Sequence, residues 1–252
     1  MKAVRSIKTL FLFIFLCSIT AKAIPPSPPE YMVKKYGFSF GLSGVVSFFK
    51  IDTRHSEPAK ARPGMGGIFK MEFYPTSNIH LQCGLEVVSQ GCRFNTYYFA
   101  PGYSQTYDRS FGYTHTLRSL ELYIPLIVRI GLSGQENNAQ NIFYLLGGYA
   151  PKFFLSTKTS IKNTATGKDI WGGSTELEYE HQFLGAQTGN VMLAGLGFDH
   201  RLGIQEKFIS FEIIYRYNLS RFIYHGRMGI ENTNELFLKN SCINIQLGYR
   251  FQ

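Results

Sequence analysis

Ser119-Leu120-Glu121-Leu122-Tyr123-Ile124-Pro125-Leu126-Ile127-Val128-Arg129-Ile130-Gly131-Leu132 decides the fold, because all its even-numbered residues are apolar while Ser119, Glu121, Tyr123 and Arg129 fall on the odd positions. Successive side chains of a strand point to opposite faces, so this pattern is a β-strand with one oily and one polar face. Its length is the more informative property. Soluble strands usually stop at about five or six residues, whereas a strand crossing a bilayer needs about 9–11.

The same alternation recurs along the chain. Ile243, Ile245, Leu247, Tyr249 and Phe251 oppose Asn244, Gln246, Gly248 and Arg250, and Ile209, Phe211, Ile213, Tyr215 and Tyr217 oppose Ser210, Glu212, Ile214 and Arg216. Phe69, Met71 and Phe73 oppose Lys70, Glu72 and Tyr74, while Ile79, Leu81, Leu85 and Val87 oppose His80, Gln82, Glu86 and Val88. Residues 36–49, 142–155 and 191–202 are less regular but read as strands too, which makes eight. Between them, connections around 52–62, 96–114, 156–189 and 220–240 are long, and those around 75–78, 133–141 and 203–207 are shorter. Long and short alternate strictly. Outer-membrane barrels segregate their loops in this way, long at one rim and short at the other, and a soluble sandwich has no reason to.

The expected architecture is therefore all-β: an eight-stranded antiparallel up-and-down transmembrane barrel. The charges give its orientation. Lys70, Glu72, Glu86, Glu121, Arg129, Glu212, Arg216 and Arg250 all lie on polar faces. On a lipid-facing wall each base would cost roughly 2–4 kcal/mol at mid-depth, whereas an eight-stranded lumen is just wide enough for such side chains to fill it and pair. A polar, filled lumen of ion pairs follows. Pro125 lacks a ladder donor and predicts a bulge in its strand. Tyr97, Tyr98, Phe99, Tyr113, Tyr215, Tyr217, Phe222, Tyr249 and Phe251 suit aromatic girdles near the loop boundaries.

Composition agrees. Aromatics are 15% and charged residues 17% of 252, which excludes a disordered chain and a nucleic-acid tail, and a hydrophobic fraction of 44% excludes a bundle of apolar membrane helices. Lys2, Arg5 and Lys8, the apolar run 10–19 and Ala21-Lys22-Ala23 read as a secretory signal peptide over 1–23. Its removal takes four basic residues and no acid from a formal +9, leaving a mildly basic +5, weak grounds for a nucleic-acid partner. Ile24-Pro25-Pro26-Ser27-Pro28-Pro29 opens a stiff linker over 24–35, and the barrel domain occupies 36–252. Cys83, Cys92 and Cys242 remain after cleavage. An odd count is no disulfide framework, and Cys83 and Cys92 should face opposite sides of one strand.

On these residues the chain resembles the PorT-like family of small outer-membrane β-barrels. The segment 122–129 looks like that family's Leu-Glu-Ile-Pro-Leu run ending in a basic residue, with Tyr123 standing where the family often has Glu. Ser89-Gln90-Gly91 and Leu146-Gly147-Gly148-Tyr149 add to the similarity. The final strand, with Tyr249 and Phe251, looks like a barrel-assembly signal, although the chain ends in Gln252. The resemblance implies a Gram-negative outer membrane, contact with its lipids, and recognition by the barrel-assembly machinery during biogenesis. It also implies a link of the family's namesake to protein secretion.

Candidate chemistry is sparse. His55-Ser56 with Asp52 and Glu57 is the best triad-like cluster, yet it sits in a predicted loop that cannot preorganise it. Glu176, Glu178, Glu180 and His181 alternate as in a solvated hairpin, Lys158, Lys162 and Lys168 read as a solvated face, and Trp171 falls in a loop, as does His225. No catalytic, cofactor or metal residue is expected. The reading is a non-enzymatic envelope protein whose loops after Asn95, Leu155 and Leu219 contact a protein or surface glycan. The alternatives are a lipid-modifying barrel enzyme and a secreted, lipocalin-like lipid carrier.

Overall fold

The computed structural model describes residues 36–51, 59–76, 78–97, 112–132, 141–174, 177–179, 188–202, 207–220, 222–225 and 235–251. The signal peptide and proline-rich linker lie outside them. Twelve strands run through the described residues: β1 (Tyr36–Ile51), β2 (Lys60–Phe73), β3 (Ile79–Tyr97), β4 (Gly112–Tyr123), β5 (Leu126–Gly131), β6 (Asn141–Asn163), β7 (Asp169–Ser174), β8 (Leu177–Tyr179), β9 (Thr188–Arg201), β10 (Lys207–Asn218), β11 (Phe222–His225) and β12 (Glu235–Phe251). Every pairing is antiparallel, and β12 pairs with β1 as well as with β10. The sheet therefore closes on itself. Eight staves form the wall in the order β1, β2, β3, β4 with β5, β6, β9, β10 and β12, as the alternation in the sequence requires.

The closure carries a stagger. A path of paired residues from Phe38 through Met71, Cys83, Leu126, Tyr149, Met192, Tyr217 and Ser241 returns to β1 at Phe48, ten residues further on. Such a shear tilts the strands by roughly 40° and leaves an interior that side chains alone can fill. At the seam, Phe38 meets Phe251 with ring centroids 5.9 Å apart and Phe40 meets Tyr249 at 5.7 Å. Aromatic pairs at this spacing add to the ladder that joins the first and last staves.

The pleat sorts residues by chemistry, but the oily side faces out. Leu42, Leu85, Leu145, Leu196, Ile213 and Ile245 are exposed on the wall, and further large apolar side chains surround them on every stave. Arg129, Glu212 and Arg250 are buried along the axis. A lipocalin-like carrier, which needs an apolar cavity, has the reverse arrangement. The lumen also holds an apolar cluster that includes Val45, Val88, Ile127, Leu146, Leu193 and Ile214, so it is more mixed than a plug of charges alone. Cys83 is exposed and Cys92 buried, on opposite faces of β3.

Several expectations need correction. Pro125 does not introduce a bulge: β3 keeps one register across it, from Glu86↔Tyr123 to Cys83↔Leu126, and β6 does likewise. The stave is only interrupted, with Ile124 N–H donating to the Pro151 carbonyl (3.0 Å) and Gly84 N–H to the Pro125 carbonyl (3.2 Å). The register shifts fall elsewhere: opposite Leu120/Glu121, where β6 carries Leu155 as an extra residue, in β2 between Arg62 and Gly66 around Pro63, and in the β6–β7 hairpin at Ile161/Lys162, where β7 carries Ile170 as an extra residue. The long connections are shorter than the sequence suggests, because β2, β3, β4, β6 and β12 run on into them. Trp171 lies in β7 and His225 in β11, not in loops. Tyr113 shares the lumen side of β4 with His115 and Leu117, so it is not a girdle residue. The β6–β7 turn is built by Asn163, whose Oδ1 accepts from Ala165 and Thr166 N–H (2.9 Å each), and by Gly167 at φ 67°, a left-handed position suited to glycine.

Candidate functional site

The feature most specified by the sequence is the lumen network. All eight charged residues read from the alternation are placed there, each no more than 4% exposed. Lys70 Nζ donates to Glu212 Oε2 at 2.5 Å, Arg216 pairs with Glu86, and Arg250 Nη1 lies 3.5 Å from Glu72 Oε2. Glu121 and Arg129, by contrast, pair with residues the sequence reading missed. Lys152 reaches Glu121 at 3.1 Å, while Asp199 receives Arg129 and also Arg250, the latter at 2.8 Å. The missed signals were weak. Asp199 sits in an irregular strand with a residue pattern that assigns no face, and Lys152 follows Pro151 at the point where β6 approaches its bulge.

Neutral donors complete the shells. Glu86 accepts from Asn244 (2.8 Å) and Gln246 (3.3 Å), Glu72 from Tyr74 (2.7 Å) and Gln82 (3.1 Å), and Glu121 from Tyr123 (2.6 Å) and Ser119 (2.8 Å). The Tyr144 hydroxyl lies 3.1 Å from Glu212 and 3.3 Å from Asp199. Its ring carries the Arg129 guanidinium at 3.4 Å from the centroid, and Arg216 stacks on Tyr123 at 4.6 Å. Among the described residues five acids (Glu72, Glu86, Glu121, Asp199, Glu212) and five bases (Lys70, Arg129, Lys152, Arg216, Arg250) are fully buried in the lumen, with half-buried Arg201 facing the same side at the short-turn rim. That balance is what a buried ionic network needs, since an unpaired ion off water costs several kcal/mol. The network ties non-adjacent staves of the wall to one another across the interior. Each of these five acids faces a base.

Among the described residues no group of three or more His, Cys, Asp and Glu could hold a metal, and no helix is long and apolar enough to cross a membrane. His80 packs edge-on against Tyr74 at the short-turn rim, and His200 meets Asn141 at 2.8 Å. The Asp52–Glu57 cluster, Glu176, Glu180 and His181 lie outside the described residues, and of Glu178 only the backbone in β8 is described. Lys158, Lys162 and Lys168 are exposed. Phe251, Tyr215 and Tyr217 face outward, as girdle and terminal-strand aromatics would.

This architecture is that of the outer-membrane β-barrels. OprG from Pseudomonas aeruginosa is similar with a TM-score of 0.52 and 12% identity, over 86% of this chain and 95% of OprG. Weaker similarities reach the outer membrane protease OmpT from Escherichia coli (TM-score 0.45, 9% identity, 89% and 99% covered) and Neisserial surface protein A (0.39, 11%, 85% and 96%). At such identities what is shared is the fold. No protein-family model and no curated protein matches the sequence, so the resemblance to the PorT-like family rests on the short motifs quoted above.

Proposed function

We propose that this chain is exported by its N-terminal signal and inserted into the outer membrane of a Gram-negative envelope. There it acts as a non-enzymatic structural or contact protein with a closed lumen. One observation carries the reading: a continuous belt of exposed apolar side chains around a charge-balanced, salt-bridged axis. In water such a belt would drive aggregation; against lipid it is the stable arrangement. Tyr249 and Phe251 on the closing stave serve as the assembly signal. The contact surface is carried by the rim of long connections, where β3, β6 and β12 extend the wall before the chain turns, and its partner is a protein or a surface glycan. A part in secretion, as for the namesake of the resembling family, is one form such contact takes.

Envelope fractionation tests the placement, with the protein expected in the detergent-extracted outer membrane; recovery in a soluble fraction overturns it. Planar-bilayer recording tests the lumen, and a large steady conductance overturns the closed axis. Lipid A mass spectra of a deletion strain test the absence of lipid chemistry, since a profile that changes on deletion and returns with the gene shows an enzyme.

A further inference from the structure

The outward face changes character abruptly on the long-loop side of the apolar belt. On β2, β3, β4 and β6 the last exposed apolar side chains are Met65, Val87, Leu120 and Leu155. Beyond them the register sets Arg62 opposite Gly91, Gly91 opposite Arg118, and Arg118 opposite Lys158, a row crossing four staves. The next row sets Lys60 opposite Arg93, and Arg93 opposite Thr116, which faces Ser160. Lys60, Arg93, Arg118 and Lys158 are exposed and Arg62 is half-buried. Among the described residues no acid forms an ion pair with any of the five.

Two of these pairings, Lys60 with Arg93 and Arg118 with Lys158, place like charges directly across a ladder, where Cβ atoms are only about 5 Å apart and repulsion destabilises the sheet. No described acid relieves it. Five of the six acids with described side chains are inside the lumen, and the sixth, Asp169, bridges Lys162 at 3.3 Å. A cationic field held against its own repulsion, at the height where hydrocarbon gives way to headgroups, calls for an anion in the membrane plane. Gly91, between Arg62 and Arg118, adds no side chain to the row and is itself buried.

We propose that this face of β2, β3, β4 and β6 binds the phosphorylated headgroup of an outer-leaflet glycolipid, with Arg118 and Lys158 holding one phosphate and Lys60 and Arg93 a second. The acyl chains lie on the belt below, along Leu120, Val87 and Leu155. Arg62 contributes from the flank. The proposal rests on the outer-membrane placement above and adds to it a lipid class and a side of the barrel.

The test uses the full mature chain folded into phosphatidylcholine nanodiscs and challenged with equal amounts of diphosphoryl lipid A and its dephosphorylated form, the retained lipid being read by native mass spectrometry. The wild type should retain the diphosphoryl form at least about tenfold over the other, and the preference should fall to near parity in R118Q/K158Q/K60Q/R93Q. K207Q, at the opposite rim, should keep it. Equal retention of the two lipids by the wild type, or an unchanged preference in the fourfold variant, overturns the proposal while leaving the membrane reading intact. Displacement of the lipid by millimolar inorganic phosphate overturns the glycolipid as the source of the anion. Failure of the wild type to enter phosphatidylcholine bilayers overturns the membrane reading and this proposal with it.

Discussion

Asp199→Asn is the sharpest perturbation of the lumen. Asp199 is fully buried and receives both Arg129 and Arg250, while Arg250 keeps a second acid in Glu72 at 3.5 Å. Asparagine preserves shape and one acceptor oxygen, so the substitution removes charge and little else. Breaking a buried pair from one side costs about 3–5 kcal/mol, because the partner stays buried and uncompensated. Here most of that cost falls on Arg129, left with the Tyr144 ring at 3.4 Å and the more distant charge of Glu72. The folding equilibrium should therefore shift by roughly two to four powers of ten. The assay is urea titration of folding into phosphatidylcholine vesicles, followed by tryptophan fluorescence and by the electrophoretic shift between folded and unfolded bands. D199N/R129M removes both charges and should recover part of the loss, with a coupling of at least about 1 kcal/mol. If D199N unfolds within about 0.5 kcal/mol of the wild type, or the double variant shows no coupling, the lumen pairs do not hold the barrel as argued.

Three further outcomes follow from the geometry. A methyl added at Gly197 would stand 2.6 Å from the Tyr144 ring, so G197A should cost about 1–3 kcal/mol in the same titration, whereas G147A, with nothing within 4 Å of its added carbon, should be neutral. Leu196 is exposed on the apolar face of β9, and L196R should cost about 2–4 kcal/mol in vesicles; a neutral result would place that face in water. His115 stands at the height of the cationic rows, beyond the apolar belt, stacked on Phe94 and 2.9 Å from Thr96, and burial pushes its pKa down to about 4. A depressed value means its stabilising contribution is complete above its usual pKa near 6.5 and is lost as pH falls toward 4. Urea midpoints should drop over that window in the wild type and less steeply in H115Q; parallel profiles would refute the assignment.

The wall was legible because period-two alternation is a local property, and residues 119–132 state it plainly. The face that meets lipid was legible for the same reason: Lys70, Glu86, Arg129 and Arg250 could not all be accommodated in hydrocarbon. Pairing was not legible. Arg129 could have met any of several acids, and its partner Asp199 is 70 residues away, so only the register and the shear bring them together. The one bulge read from the sequence was placed at Pro125 because a proline inside a strand is a visible reason for one, whereas the extra residue at Leu155 has no sequence mark and serves to reset which face of β6 looks inward. The upper strand extensions were hidden by polar residues on both faces of β6 beyond the bulge, a pattern that local reading cannot tell from a solvated loop. The cationic rows were hidden for a related reason. Lys158 looked like one member of a solvated face until the register set Arg118 beside it.

β6 has a further consequence. Its 23 residues at about 3.3 Å each, tilted by roughly 40°, rise some 55–60 Å, more than twice the roughly 25 Å that an apolar band occupies. The surplus is hydrogen-bonded sheet, paired with β4 and β7, and it is far stiffer than a tether of coil. Whatever docks at its tip is met at a fixed height above the lipid, as on a mast, and shortening the hairpin would lower that meeting point without altering the chemistry displayed there.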